Sequence, residues 1–217
     1  MVTLKVSVVL CAMKNVEISE VHSRIIKSAH DSFMQWGIKS VSMDDIASNL
    51  GVSKKTLYKF FPDKESLVIE VVQSVLSKSR LICESCTQKS QNALHELILS
   101  IEHMYDLFGH MNPSVLFDLY KYYPKAYKLF KKHKEEFLLG MIRFNLKKGI
   151  REEIYRDNMN VDLVAKFRLE SITIPFHPEF LHGLDSGLAD VAKEIAFHFI
   201  HGIINNKGAK LLPKYLD

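Results

Sequence analysis

The 217-residue chain has little of what marks a stapled, fibrous or membrane-embedded protein. Its three cysteines, an odd number, make no disulfide framework and suit a reducing compartment. Six prolines and nine glycines are too few for a collagen-like or linker-rich chain. No low-complexity stretch or fixed-period repeat is present. No apolar run reaches the roughly 18 residues that a membrane helix needs, so no membrane partner is expected and the chain reads as cytoplasmic. Charge of one sign is not in large excess either. The net charge of +4 comes from 29 basic and 25 acidic residues, so bulk charge does not announce nucleic acid. P-loops, dinucleotide fingerprints and nucleophile–base arrangements are missing too, which leaves no argument for an enzyme or for a cofactor.

What remains is a helical pattern. Hydrophobic residues make up 47% of the chain, enough for a substantial core in one large or two modest domains. Over 19–36, Val21, Ile25, Ala29 and Phe33 recur every four residues, and Ile26, Met34 and Trp36 widen the stripe. A long helix follows from Asp63 to about Ser85, with Leu67, Val71 and Val75 in the same step. Further helices are expected over 90–108, from Asn112-Pro113 to Pro124, over 125–148, over 160–174 and from 185 to about 206. No strand alternation is visible, so the fold class is all-α. Residues 1–15 read as a leader, expected to be poorly ordered, with Met13 as an alternative start.

The densest information lies in residues 42–64. Ser42 can cap a short helix, with Asp45 three positions on reaching back in a capping box. Gly51 supplies a left-handed turn, Ser53 caps a second helix, and Pro62 stops it. Helix, tight turn, helix is the arrangement that lays a helix in the DNA major groove. Charge supports this reading: Lys54, Lys55, Lys59 and Lys64 face a single acid, Asp63, within twelve residues. Lys54 and Lys55 occupy the first helical turn, where the macrodipole disfavours cations. Cations there make sense if that end of the helix meets phosphates and base edges.

These residues resemble the TetR family of transcriptional regulators. The similar block comprises the helix Ser19 to Trp36 with Gly37, then Val41-Ser42-Met43-Asp44-Asp45-Ile46-Ala47. It continues through Gly51-Val52-Ser53-Lys54-Lys55-Thr56-Leu57-Tyr58-Lys59-Phe60-Phe61 and Asp63-Lys64-Glu65-Ser66-Leu67. Asn160 to Ala165 and Phe199 to Ile203 are similar to late segments of the family. The resemblance implies a three-helix DNA-binding domain over 16–62 and a helical effector-binding and dimerisation domain over 63–217. It implies a repressor acting as a homodimer on a palindromic double-stranded DNA operator, released by a small-molecule effector. By matching position, Ser42 would hold a backbone phosphate, and Lys54, Lys55 and Thr56 would face the major groove. Tyr58, Lys59 and Lys64 would clamp phosphates. Lys59 stands where the family often carries histidine or another aromatic, which favours phosphate over base contact.

The resemblance also places an effector pocket in the methionine- and aromatic-rich segment. Met104, Phe108, Phe117, Tyr120, Met141 and Phe144 are its expected lining, suited to an apolar or aromatic ligand. Leu188, Ile195, Phe199 and Ile203 form an apolar stripe that, paired with Leu163 and Phe167, is expected to build the dimer interface. Two alternatives stand beside this reading. An effector-independent DNA-binding factor of the same fold keeps the helix-turn-helix. A helical metal-binding protein or enzyme would use Cys83-x-x-Cys86, or Glu194, His198 and His201 at helical spacing. Zinc needs four ligands and neither group supplies them, so the cysteines read as a helix-surface pair in a reducing compartment, the histidines as packing or interface hydrogen bonding, and no metal is expected.

Overall fold

The computed structural model describes residues 2–216, with side chains from Ser19 onward and Pro178 excepted. The expected leader over 1–15 falls on side chains outside that description. Every main element is a helix. The first four are α1 (Val2–Trp36), α2 (Met43–Leu50), α3 (Lys54–Phe60) and α4 (Lys64–Lys89). There follow α5 (Ala93–Gly109), α6 (Ser114–Tyr122), α7 (Pro124–Lys132) and α8 (Leu139–Arg151). The chain ends in α9 (Val161–Ser171), α10 (Pro178–Leu181), α11 (Leu188–Ile203) and α12 (Asn206–Leu211). The fold is all-α, with a small N-terminal helical bundle carrying the helix-turn-helix and a larger one behind it.

Local signals account for the N-terminal elements. Ser42 and Asp45 form a complete capping box at α2: the Asp45 N–H donates to Ser42 Oγ at 3.1 Å, and the Ser42 N–H donates back to Asp45 Oδ2 at 2.8 Å. Gly51 closes α2 with φ +66°, a conformation that a Cβ would strain. Ser53 accepts from the Thr56 N–H to start α3, and Asp63 accepts from the Ser66 N–H at 2.7 Å to start α4.

The first core joins Ile25, Phe33, Ile38, Ile46, Leu57 and Phe61 to Leu67, Val68 and Val71 of α4, Val115 and Leu119 of α6, and Ala126 of α7. It therefore extends across position 62 into the following helices. A second core holds Leu94, Ile98 and Ile101 of α5 against Leu146, Leu169, Phe199, Ile200 and Ile203. A third, smaller cluster gathers Phe108, Phe176, Leu188, Ala189 and Ala192. One expected helix, 125–148, keeps its span but changes pitch. Pro124 opens α7, and residues His133–Leu138 form a π-helical turn before α8. Such turns hold an extra residue and recur at functional sites.

Candidate nucleic-acid interface

The two caps set α2 and α3 on either side of the Gly51 turn, and apolar residues beneath hold them in place. Leu57 of α3 and Ile46 of α2 are fully buried on Ile25 and Phe33 of α1. Burying a leucine or isoleucine side chain contributes about 1.5–3 kcal/mol, which fixes the angle between the helices. The opposite face of α3 carries Lys54, Lys55, Tyr58 and Lys59, all exposed, with Thr56 half-buried.

Not every polar group on this face is free. Lys54 Nζ pairs with Asp44 of α2 at 2.5 Å, and that carboxylate raises its pKa. The Thr56 hydroxyl lies 2.8 Å from Ser53 Oγ. The Ser42 hydroxyl donates to Asp45 Oδ2 at 2.6 Å, so phosphate contact by Ser42 would compete with the capping box. Among the described residues Lys55 and Lys59 have no ion-pair or hydrogen-bond partner, which leaves them the uncommitted cations of the helix.

Lys64, an expected phosphate contact, has partners within the chain. Its ammonium donates to the carbonyl oxygens of Ile38, at 2.6 Å, and Lys39, at 3.3 Å, and lies over the rings of Phe33 and Tyr123. Burial pushes its pKa down. A half-buried cation holding two carbonyls serves as a structural tie between α4 and the turn after α1.

That tie belongs to a junction that sequence reasoning missed. The buried carboxylate of Asp118 in α6 accepts the backbone N–H of Lys39 at 2.8 Å. The Asn112 N–H donates to the Met34 carbonyl at 2.6 Å. Gly37, at φ +83°, lies so close to α6 that a Cβ there would stand 2.5 Å from Ser114 Oγ. The available signal is one acid set inside Val115-Leu116-Phe117-Asp118-Leu119-Tyr120, an apolar and aromatic run where a carboxylate needs a reason.

The expected effector lining divides. Phe108 is buried and meets Phe176 edge-on at 4.9 Å, while Met104 and Met141 are half-buried. Phe117, Tyr120 and Phe144 are 46%, 64% and 49% exposed instead, because the buried sides of α6 and α8 are taken by Val115, Leu119, Asn145 and Leu146.

The expected dimer residues divide as well. Leu188, Phe199 and Ile203 are buried in the chain's own cores, where α11 packs against α5, so they are not available to a partner; Ile195 is half-buried. Leu163 and Phe167 remain 65% and 60% exposed on α9. Phe144 of the adjoining α8 is exposed as well, and Arg143 Nε meets Asp162 Oδ1 at 2.8 Å between the same two helices.

The metal alternatives gain no geometry. Glu194 and His198 approach to 3.3 Å on the exposed side of α11. Burial raises the pKa of Cys83 to about 11, which disfavours the thiolate that a metal or an oxidant would meet. Among the described residues there is no group of three or more His, Cys, Asp or Glu side chains able to hold a metal ion. None of the described helices is long and apolar enough to cross a membrane.

Residues 25–71 match the family model for bacterial regulatory proteins of the tetR family. The chain is 29% identical over 146 residues to the uncharacterized HTH-type transcriptional regulator YvaF of Bacillus subtilis (strain 168), covering 65% of this chain and 74% of that one. It spans about a third of the length of two further curated relatives, HTH-type regulators of Staphylococcus aureus and B. subtilis. Among solved structures it is similar to a TetR-family regulator from Agrobacterium tumefaciens, with TM-score 0.72, 16% identity, and coverage of 86% of this chain and 99% of that one. A transcriptional regulator from Saccharomonospora viridis in complex with choline is similar at TM-score 0.70 and 18% identity, over 87% of this chain and all of that one. At such identities these structures speak for the fold. Capped helix-turn-helix, family match and all-helical body agree: residues 25–71 form a DNA-binding region of the tetR family type, and the helical body behind it has the fold of TetR-family transcriptional regulators.

Proposed function

We propose that this regulator acts as a homodimer on a palindromic operator, and that a small molecule entering its helical body releases it, as a repressor. The DNA-binding part is 16–62 and the effector-binding and dimerisation part 63–217. One observation carries the switching half of this reading: the junction in which Asp118 and Asn112 hold the end of α1 by its backbone. A displacement of α6 or α4 inside the body must move the turn that positions α2 and α3, because rigid, hydrogen-bonded contacts pass on a shift. The choline-bound S. viridis regulator supports the general idea of a small ligand within this fold.

The apolar face of Leu163, Phe167 and Phe144 supports a second copy as partner, since exposed aromatic clusters of this kind mark interaction sites. Two recognition helices would then meet successive major grooves roughly 34–36 Å apart or somewhat more. Sequencing of DNA cross-linked to the protein in cells tests the DNA half: a few palindromic sites near promoters are expected, and many scattered sites would point to an effector-independent factor. Compounds that stabilise the free protein should weaken its hold on those sites. Each tenfold loss of DNA affinity corresponds to about 1.4 kcal/mol of coupling, and DNA must weaken compound binding by the same factor.

A further inference from the structure

Inside the larger bundle lies a nearly buried cation that no carboxylate among the described residues pairs with. Arg168 of α9 is 4% exposed, yet among the described residues its hydrogen-bond partner is Ser171 Oγ alone, at a long 3.4 Å. No carboxylate among those residues pairs with it. Its guanidinium lies 5.3 Å from the centre of the Phe199 ring on α11. Burial alone pushes its pKa down, to about 10, so it remains a cation at neutral pH. Its five N–H donors and one positive charge thus meet one weak acceptor and one aromatic face within the chain, although none of its nitrogens is both fully buried and without a partner. A buried cation without a counter-ion costs several kcal/mol, and a neutral side chain of similar volume would avoid that cost.

We propose that Arg168 is the anchor for a monoanionic organic ligand, a carboxylate with an apolar body, bound between α9 and α11. This inference rests on the reading of the helical body as effector-binding and names the class of effector. One guanidinium balances one negative charge, and its paired N–H groups match the two oxygens of a carboxylate. A phosphate dianion would leave a surplus charge buried. The surroundings set the rest of the ligand: Phe199 belongs to the second core, and Ile172, one turn beyond Arg168, packs with Met104 on the cluster of Phe108 and Phe176. Such walls favour an alkyl or aryl body.

The test uses the full chain and matched pairs of probes: decanoate and decanamide, 4-phenylbutyrate and 4-phenylbutyramide. Melting temperature and affinity for a cross-link-identified site are measured for each. At least one acid should stabilise the protein and weaken DNA binding, with its amide at least tenfold weaker. Arg168→Met should erase the difference between acid and amide while raising the melting temperature of the ligand-free protein. Arg168→Lys should restore part of the preference. The proposal is overturned if no acid binds, or if amides bind as well as acids. An Arg168→Met protein that is destabilised and still prefers acids overturns it too. Failure of DNA binding in the unmodified chain would instead sink the regulator reading, so the two failures are told apart.

Discussion

Asp118 Oδ2 accepts the backbone N–H of Lys39 at 2.8 Å, tying α6 to the turn that leads into the helix-turn-helix. Because the carboxylate is buried and the donor belongs to the backbone, removing it leaves an unmet N–H. Asp118→Ala should destabilise the protein by about 1–3 kcal/mol, read from urea unfolding. Asp118→Asn keeps an acceptor and should cost less. If the junction transmits the effector signal, Asp118→Ala should also reduce the change in DNA affinity that a bound compound produces. An unaltered response would remove this contact from the switch.

For DNA binding, Lys55 and Lys59 are expected to behave alike and Lys64 differently. Lys55→Ala or Lys59→Ala should weaken binding to the operator and lower the slope of log affinity against log salt by about one. Lys64→Ala should lower the melting temperature, since Ile38 and Lys39 lose their donor, while its salt slope stays that of the parent. A salt slope that fell with Lys64→Ala would return that residue to the phosphate contacts.

Assembly offers a sharper contrast. Leu163→Asp combined with Phe167→Asp should give a folded monomer by light scattering at micromolar concentration, because both side chains stand free of the chain's own core. Phe199→Ala, by comparison, should cost about 3–5 kcal/mol of stability through the cavity it opens. A double aspartate variant that still sediments as a dimer would place the interface elsewhere.

Acid should loosen the DNA-binding helices first at their caps. Hydrogen bonds from Ser42 hold the Asp45 carboxyl below the usual carboxylate range, and those from Ser66 do the same for Asp63. Both groups favour the folded state when ionised. Their contribution is fully present above the ordinary carboxylate pKa of roughly 4 and is lost as pH falls through the depressed folded values. Asp45→Asn should therefore flatten the acid limb of a stability-versus-pH curve between about pH 4 and pH 2. An identical acid limb in the variant would dismiss the cap as its source.

The parts of the fold legible from the residues were those written locally. Ser42 with Asp45, Gly51 and Ser53 each need only their own neighbours, and the structure places each as expected. An apolar stripe, however, reveals that a helix face is covered without revealing by what. Leu188, Phe199 and Ile203 show the pattern of an interface, but helices of the same chain cover them. Lys64 reads as surface because lysine is strongly hydrated, and the carbonyls that claim it are contributed 25 and 26 residues earlier. The aromatic content of 101–144 is only a partial guide to its interior, since Phe108 is buried while Phe117, Tyr120 and Phe144 turn outward. The π-helical turn at His133–Leu138 leaves no periodic trace, because one added residue shifts the stripe by less than the pattern resolves.

The core that runs from α1 through α4 into α6 and α7 bears on how such regulators can be recombined. A graft that moves residues 16–62 onto another helical body would leave Phe33, Leu57 and Phe61 without Leu67, Val71, Val115 and Leu119 beneath them. It would also strand the carbonyls that Lys64 ties and the N–H that Asp118 receives. The transferable unit is therefore discontinuous: the helix-turn-helix together with the first turns of α4 and the apolar side of α6. Exchange of operator preference in this scaffold is better achieved by changing the exposed face of α3 in place, where Lys55, Tyr58 and Lys59 can be replaced without disturbing what lies under them.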